Sequence, residues 1–163
     1  MNLSDQPEGQ CELECNLRLL RGLSVFAGLA PELLRVMAYL CEREVFAQGQ
    51  SILTVNEPAE GPVVLIRGTA GLEHGSRRVA TVSEGMCAGG LALLGRFRWL
   101  YTLRAETEVE CLLLPRRKLL PQFFAQPEAL VSVAQGLIGG VVQWDQQRLE
   151  RGGEVQGQGP GVL

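Results

Sequence analysis

The hydrophobic pattern of the chain changes twice along its length. Apolar residues recur at helical spacing near both ends, and short apolar runs broken by turns fill the middle. Leu17, Leu19 and Leu20 mark one side of a first helix predicted over residues 12–21. The run Val25-Phe26-Ala27-Gly28-Leu29 then turns the chain. Pro31 and Glu32 suit the first turn of a second helix. Proline there gives up an amide hydrogen that has no intrahelical partner, and the carboxylate meets the positive helix end. Leu33, Leu34, Val36, Met37 and Leu40 supply the apolar face of this helix.

From Arg43 the texture becomes strand-like, with candidate strands at 43–47, 51–55, 63–66, 70–74, 78–82, 102–107 and 110–114. Gly75 after His74 marks a tight hairpin. Many short strands with glycine turns predict an antiparallel barrel or jelly roll. Helical character returns after Pro115, first over 117–125 and then from Pro127 to about Glu150. In the longer helix Leu130, Val133, Leu137, Val141 and Trp144 keep three- and four-residue spacing. Gly136, Gly139 and Gly140 interrupt it, each costing about 1 kcal/mol against alanine. They admit close approach of a partner helix, or packing of this helix on its own barrel. The expected class is mainly β with flanking α: an antiparallel double-stranded β-helix or jelly roll, with N-terminal helices and closing C-terminal helices.

A chain of 163 residues suits one domain. Residues 1–10 are expected to be a disordered N-terminus, 11–150 the domain and 151–163 a flexible Gly/Gln-rich tail. A net charge of −3 provides no global field to attract nucleic acid. The start is polar and lacks an apolar signal core, and the uncharged stretch 129–144 is too short to span a bilayer. Five cysteines, an odd count, argue for free thiols and a cytoplasmic location.

Several ordered landmarks resemble the cyclic-nucleotide-binding domain family, the effector domain of catabolite-activator and fumarate-nitrate-type regulators. Ser24 to Leu29 is similar to the segment that precedes the family's helix. Phe46-Ala47-Gln48-Gly49-Gln50-Ser51-Ile52-Leu53 resembles its aromatic-glycine-isoleucine strand turn. Val63 to Gly68 resembles the strand ending in glycine, and Glu84-Gly85 takes the turn before the phosphate-binding cassette. The resemblance covers roughly residues 17–150.

The cassette of that family reads approximately Phe-Gly-Glu-Leu-Ala-Leu-Leu, a short loop, then Arg-Ser-Ala-Thr-Val. The resemblance implies that backbone amides cradle a cyclic phosphate, an arginine neutralises it and a glutamate receives the ribose hydroxyl. Here Ala88 stands at the phenylalanine position, Gly89 is kept, and Leu91-Ala92-Leu93-Leu94 is intact. Gly90 replaces the glutamate and Trp99 the arginine; Leu100 and Tyr101 replace small residues, and Thr102 keeps its place. The implied ligand-binding set is therefore Gly89, Gly90, Leu91, Ala92, Arg98, Trp99, Leu100, Tyr101 and Thr102, with cyclic AMP or cyclic GMP as the ligand. Each lost charge-assisted bond is worth about 1.5–3 kcal/mol. Losing both weakens binding roughly a hundredfold to ten-thousandfold. Arg98, one residue early, substitutes if the loop shifts, and Arg96 is nearby.

Other features have sharper and blander readings. Oxygen sensors of this superfamily hold an iron–sulfur cluster with four cysteines. Cys11 and Cys15 would need Cys41 or Cys87 to complete such a set, and their spacing does not match; the bland reading is free thiols. His74, the only histidine, fits a solvated hairpin tip, and a single histidine argues against a metal-dependent cupin enzyme. Arg116, Arg117 and Lys118 read as a solvated basic run. No nucleophile, Walker or dinucleotide motif is present, so no catalysis is expected.

Three functions follow as expectations: a stand-alone regulatory or sensor domain with weak, altered or lost nucleotide binding; a ligand-free protein–protein interaction module; and, third, a cysteine-based redox or iron–sulfur sensor. A homodimer through 129–149 and an unidentified protein partner are the expected contacts. A helix-turn-helix does not fit in residues 151–163, so neither direct DNA binding nor membrane attachment is expected.

Overall fold

The computed structural model describes residues 8–150. Helix α1 (Glu8–Gly22) leads through a 3-10 turn (Ser24–Phe26) into α2 (Pro31–Leu40). Eight strands follow: β1 (Glu42–Phe46), β2 (Ser51–Leu53), β3 (Val63–Arg67), β4 (Ala70–His74), β5 (Arg77–Val82), β6 (Cys87–Ala88), β7 (Thr102–Ala105) and β8 (Val109–Leu113). A 3-10 helix (Gly90–Leu93) sits between β6 and β7, and α3 (Arg116–Ala125) and α4 (Pro127–Glu150) close the domain. Of the N-terminus expected to be disordered, 1–10, residues 8–10 belong to helix α1; residues 1–7 and the expected tail at 151–163 lie outside the described residues. Among the described residues no helix is long and apolar enough to cross a membrane.

All strand pairs are antiparallel, in two sheets ordered β1-β8-β3-β6 and β2-β7-β4-β5. Side-chain alternation divides the apolar residues between two cores. On β3, Val63 and Leu65 face the roll interior while Val64 packs under the helices. On β8, Val109 and Cys111 point inward and Leu112 meets the helices. A strand buried on both faces reads as a continuous apolar run, which is what 63–66 shows. Phe26, Leu33, Met37, Leu119, Phe123 and Val133 supply the helical side of that second core.

A network ties the helices to the roll. Asn16, buried in α1, donates from Nδ2 to the Ala38 carbonyl and receives Arg43 Nε at 2.9 Å. Arg43 also pairs with Glu110 at 2.9 Å across the β1–β8 ladder.

Three expectations need adjustment. Val36 lies on the solvent side of α2, where Ala38 takes the inward position, because 33, 34, 37 and 38 form the face that meets the core. Helix α1 begins earlier than residue 12, through a polar stretch that has no apolar spacing to reveal it. Strand β6 was not anticipated: two residues are too few to show a period. The interior glycine of α4 has a local purpose. A Cβ on Gly136 would stand 2.8 Å from both the Cα and the carbonyl oxygen of Val25, so the glycine lets α4 seat directly on the 3-10 turn. Ala129, Val133 and Leu137 complete that inward face. Val141 is half-buried; the Trp144 side chain lies outside the described residues.

Candidate phosphate cradle

The cradle forms where β6 ends. Gly89 takes a left-handed conformation, φ 77° and ψ 29°, and turns the chain into the 3-10 helix Gly90–Leu93. Ala92 N donates back to the Gly89 carbonyl at 2.8 Å. Ala88, Gly90, Ala92 and Leu93 are buried, and Leu91 reaches the surface. The small side chains at 88 to 90 and at 92 leave a recess in the roll interior.

Trp99 fills that recess. Only 4% of the residue is exposed, and it belongs to the same apolar cluster as Ala88 and Ala92. A Cβ placed on Gly89 would stand 2.4 Å from Trp99 Cη2 and 2.6 Å from Cζ3. The edge of the indole thus lies directly over the residue that opens the cradle. Phe97 meets the indole edge-on, with centroids 5.6 Å apart and planes at 88°. Tyr101 flanks it at 5.9 Å and 42°. Such aromatic pairs add about 0.5–1.5 kcal/mol beyond burial. Burial also raises the Tyr101 hydroxyl well above the usual phenol range, with Cys87 adding to the shift.

The direction of Trp99 is set by backbone pairing that sequence reading missed. Ala59 N donates to the Phe97 carbonyl at 2.9 Å, Trp99 N to the Glu57 carbonyl at 2.9 Å, and Asn56 N to the Trp99 carbonyl at 2.8 Å. Arg98 and Pro58 form an antiparallel bridge between these bonds. Asn56 reaches its place with φ 68°, a conformation asparagine tolerates better than most residues. Asn56-Glu57-Pro58 has turn composition that could have located this loop, but nothing local says what it pairs with.

Alternation then sends Trp99 inward and Arg98 outward. Arg98 Nη1 donates to the Asn56 carbonyl at 2.7 Å on the exposed side. A one-residue slip would exchange their faces, but it would also break all three backbone bonds. Leu100 is exposed, and its carbonyl lies 3.1 Å from His74 Nδ1. Thr102 opens β7, its hydroxyl oxygen receiving Val55 N at 3.2 Å. Of the nine residues singled out from sequence, Gly89, Gly90, Ala92 and Trp99 meet in the recess, Tyr101 borders the indole, and Leu91, Arg98 and Leu100 face outward. Thr102 faces the loop.

Cys41, Cys87 and Cys111 are held as neutral thiols by their surroundings. Burial pushes Cys87 and Cys111 each up to about 12, with Glu44 and Glu110 adding to the shift at Cys111. Cys41 is likewise raised to about 12, by burial and Glu42, against a lowering from Lys118. A metal takes the thiolate, which such sites disfavour. Among the described residues no three His, Cys, Asp or Glu are placed to hold a metal ion. The Cys11 side chain lies outside the described residues.

Two four-stranded sheets closing as a roll, a glycine-led 3-10 helix after the sixth strand and helices at both ends define the class of helix-flanked antiparallel jelly rolls. The family described as the cyclic nucleotide-binding domain matches residues 43–126, and the chain belongs to that family. Solved structures share the fold. The N-terminal domain of a transcriptional regulator from Streptomyces coelicolor superposes with a TM-score of 0.70 at 22% identity, covering 79% of this chain and 94% of that one. The sensor domain of the transcriptional regulator DNR from Pseudomonas aeruginosa gives 0.67 at 13% identity, over 90% and 97%. The regulatory subunit of a cAMP-independent protein kinase A from Trypanosoma brucei gives 0.62 at 22% identity, over 70% and 41%. No curated protein matches the sequence.

Proposed function

We propose that this chain is a non-catalytic, cytoplasmic regulatory domain in which cyclic nucleotide binding has been lost and signalling runs through protein contacts. The observation that carries this reading is the Trp99 indole resting on Gly89. A cyclic phosphate would have to displace a buried ring. It would then meet Gly90 where a carboxylate is needed, and Arg98 on the outer side of its strand. The Trypanosoma neighbour, described as the regulatory subunit of a cAMP-independent protein kinase A, supports a regulatory role for this fold apart from cyclic AMP.

Calorimetric titration of the reduced protein with cyclic AMP and cyclic GMP tests this. No heat is expected at millimolar ligand. The Gly90→Glu/Trp99→Arg variant, which restores both charged positions, is expected to gain binding. Micromolar binding by the unaltered chain would overturn the reading.

A self-associating form of the same domain is favoured by α4. Its inward face is used within the domain, while Val131, Ile138 (61% exposed), Val142 and Leu149 (79%) form an apolar seam outside. Their spacing of seven, four and seven matches the a and d positions of a helix pair, with Gln135 and Asp145 between them. Light scattering is expected to report a dimer that Ile138→Glu converts to monomer. A monomeric wild type at high concentration would sink this part.

A further inference from the structure

Trp99 also lines a cleft of about 620 Å³ to which Gly89 does not contribute. One wall is β1, where Glu42, Glu44 and Phe46 alternate onto the same face. The facing wall includes Ile52 and Leu53 of β2, and the loop after β2 contributes Glu57 and Glu60. Trp99 closes the back.

The charges are out of balance. Lys118 Nζ occupies Glu42 at 2.6 Å, and its hydrogen bond holds that carboxyl below the usual carboxylate range. Glu44, Glu57 and Glu60 have no side-chain hydrogen bond or ion pair among the described residues, although Arg117 also lines the cleft. Carboxylates from β1 and from the loop after β2, together with the apolar Phe46, Ile52 and Leu53, are complementary to arginine and lysine, which carry a cationic head on an apolar stem. The cleft is larger than one such side chain and falls within the usual size of ligand sites, about 300–1,000 Å³.

Its walls also suit an extended chain. β1 ends one sheet and β2 ends the other. Edge strands offer backbone groups to an added strand, which a peptide can use and a free polyamine cannot.

We infer that this acid-rimmed cleft docks an extended basic segment of a partner protein. The inference rests on the protein-contact reading above and gives it a site and a partner chemistry.

The probe is a fluorescein-labelled pentapeptide alternating arginine and leucine, capped at both ends and followed by anisotropy. Saturable binding is expected, weakening as salt rises. The Glu44→Gln/Glu57→Gln/Glu60→Gln variant, checked for an unchanged melting curve, is expected to bind about tenfold more weakly or worse. Removing equal charge elsewhere, in Glu84→Gln/Glu108→Gln/Glu128→Gln, is expected to leave affinity near wild type. Absent binding overturns the inference. So does equal loss in both triple variants, or equal binding of a glutamate–leucine peptide. Spermidine displacing the peptide at matching concentrations would assign the cleft to free polyamines and overturn the peptide docking. Nucleotide titration of the same sample separates the two proposals. Heat with cyclic AMP removes the lost-ligand reading while leaving the peptide result intact, and a failed peptide titration does the reverse.

Discussion

The two halves of the cassette have diverged in different ways. The first half, from Ala88 to Leu94, is mostly backbone: a left-handed glycine, a short 3-10 helix and small buried side chains. The second half, from Phe97 to Tyr101, is mostly side chain, with two aromatic contacts centred on Trp99. The first half keeps the glycine turn and short helix that the family resemblance led one to expect there. The second half supplies an indole to the same recess. A glycine-lined hollow inside an apolar roll leaves its lining without contacts, and an aromatic ring restores them. At position 99, the absence of the family's arginine and the gain of a core residue are thus one and the same difference.

If the halves form one packed unit, altering them together should differ from altering them apart. Trp99→Ala is expected to have the largest effect, about 3–5 kcal/mol by urea unfolding, because it empties a buried aromatic site. Gly89→Ala should cost about 1–2 kcal/mol for its left-handed backbone alone, plus the clash of the new methyl with the ring. In the double variant the ring is gone and only the backbone cost should remain. The double is therefore expected to be less destabilised than the sum of the singles, by about 0.5–3 kcal/mol. Strict additivity would mean the indole does not bear on Gly89 in solution.

The same contrast explains what could be read from sequence. Ala70–His74 matches its expected span residue for residue, and the turn at Gly75 marks its end. The 63–66 run was expected as a strand, and its burial on both faces is what the structure adds. At 96–101 all six residues are large or charged, and the charged–aromatic alternation of Arg96 to Trp99 breaks off at Leu100-Tyr101. Whether Arg98 or Trp99 points inward depends on register against 56–59, which is a long-range fact. The glycines of α4 carried a related ambiguity. Close approach was legible at Gly136, but the approaching group is the Val25 backbone within the same domain. The acidic cleft was invisible because its glutamates come from β1 and from a loop, and no local motif joins them.

Arg98 provides the smallest and sharpest test of the comparison. It sits beside Trp99 in sequence but outside the recess, held by one exposed bond to the Asn56 carbonyl. Arg98→Ala is expected to cost about 1 kcal/mol or less, the usual net worth of such a bond. It should leave the emission of Trp99 unchanged, measured in a Trp144→Phe background so that a single indole reports. A shift in emission together with a loss as large as that of Trp99→Ala would mean that Arg98 anchors the loop against the recess. The indole would then depend on its neighbour for position, and the second half of the cassette would have to be treated as a coupled Arg98–Trp99 clamp. With the small expected loss and unchanged emission, the backbone bonds to Asn56, Glu57 and Ala59 suffice to aim the ring. The arginine is then free of any structural duty that would explain its outward position.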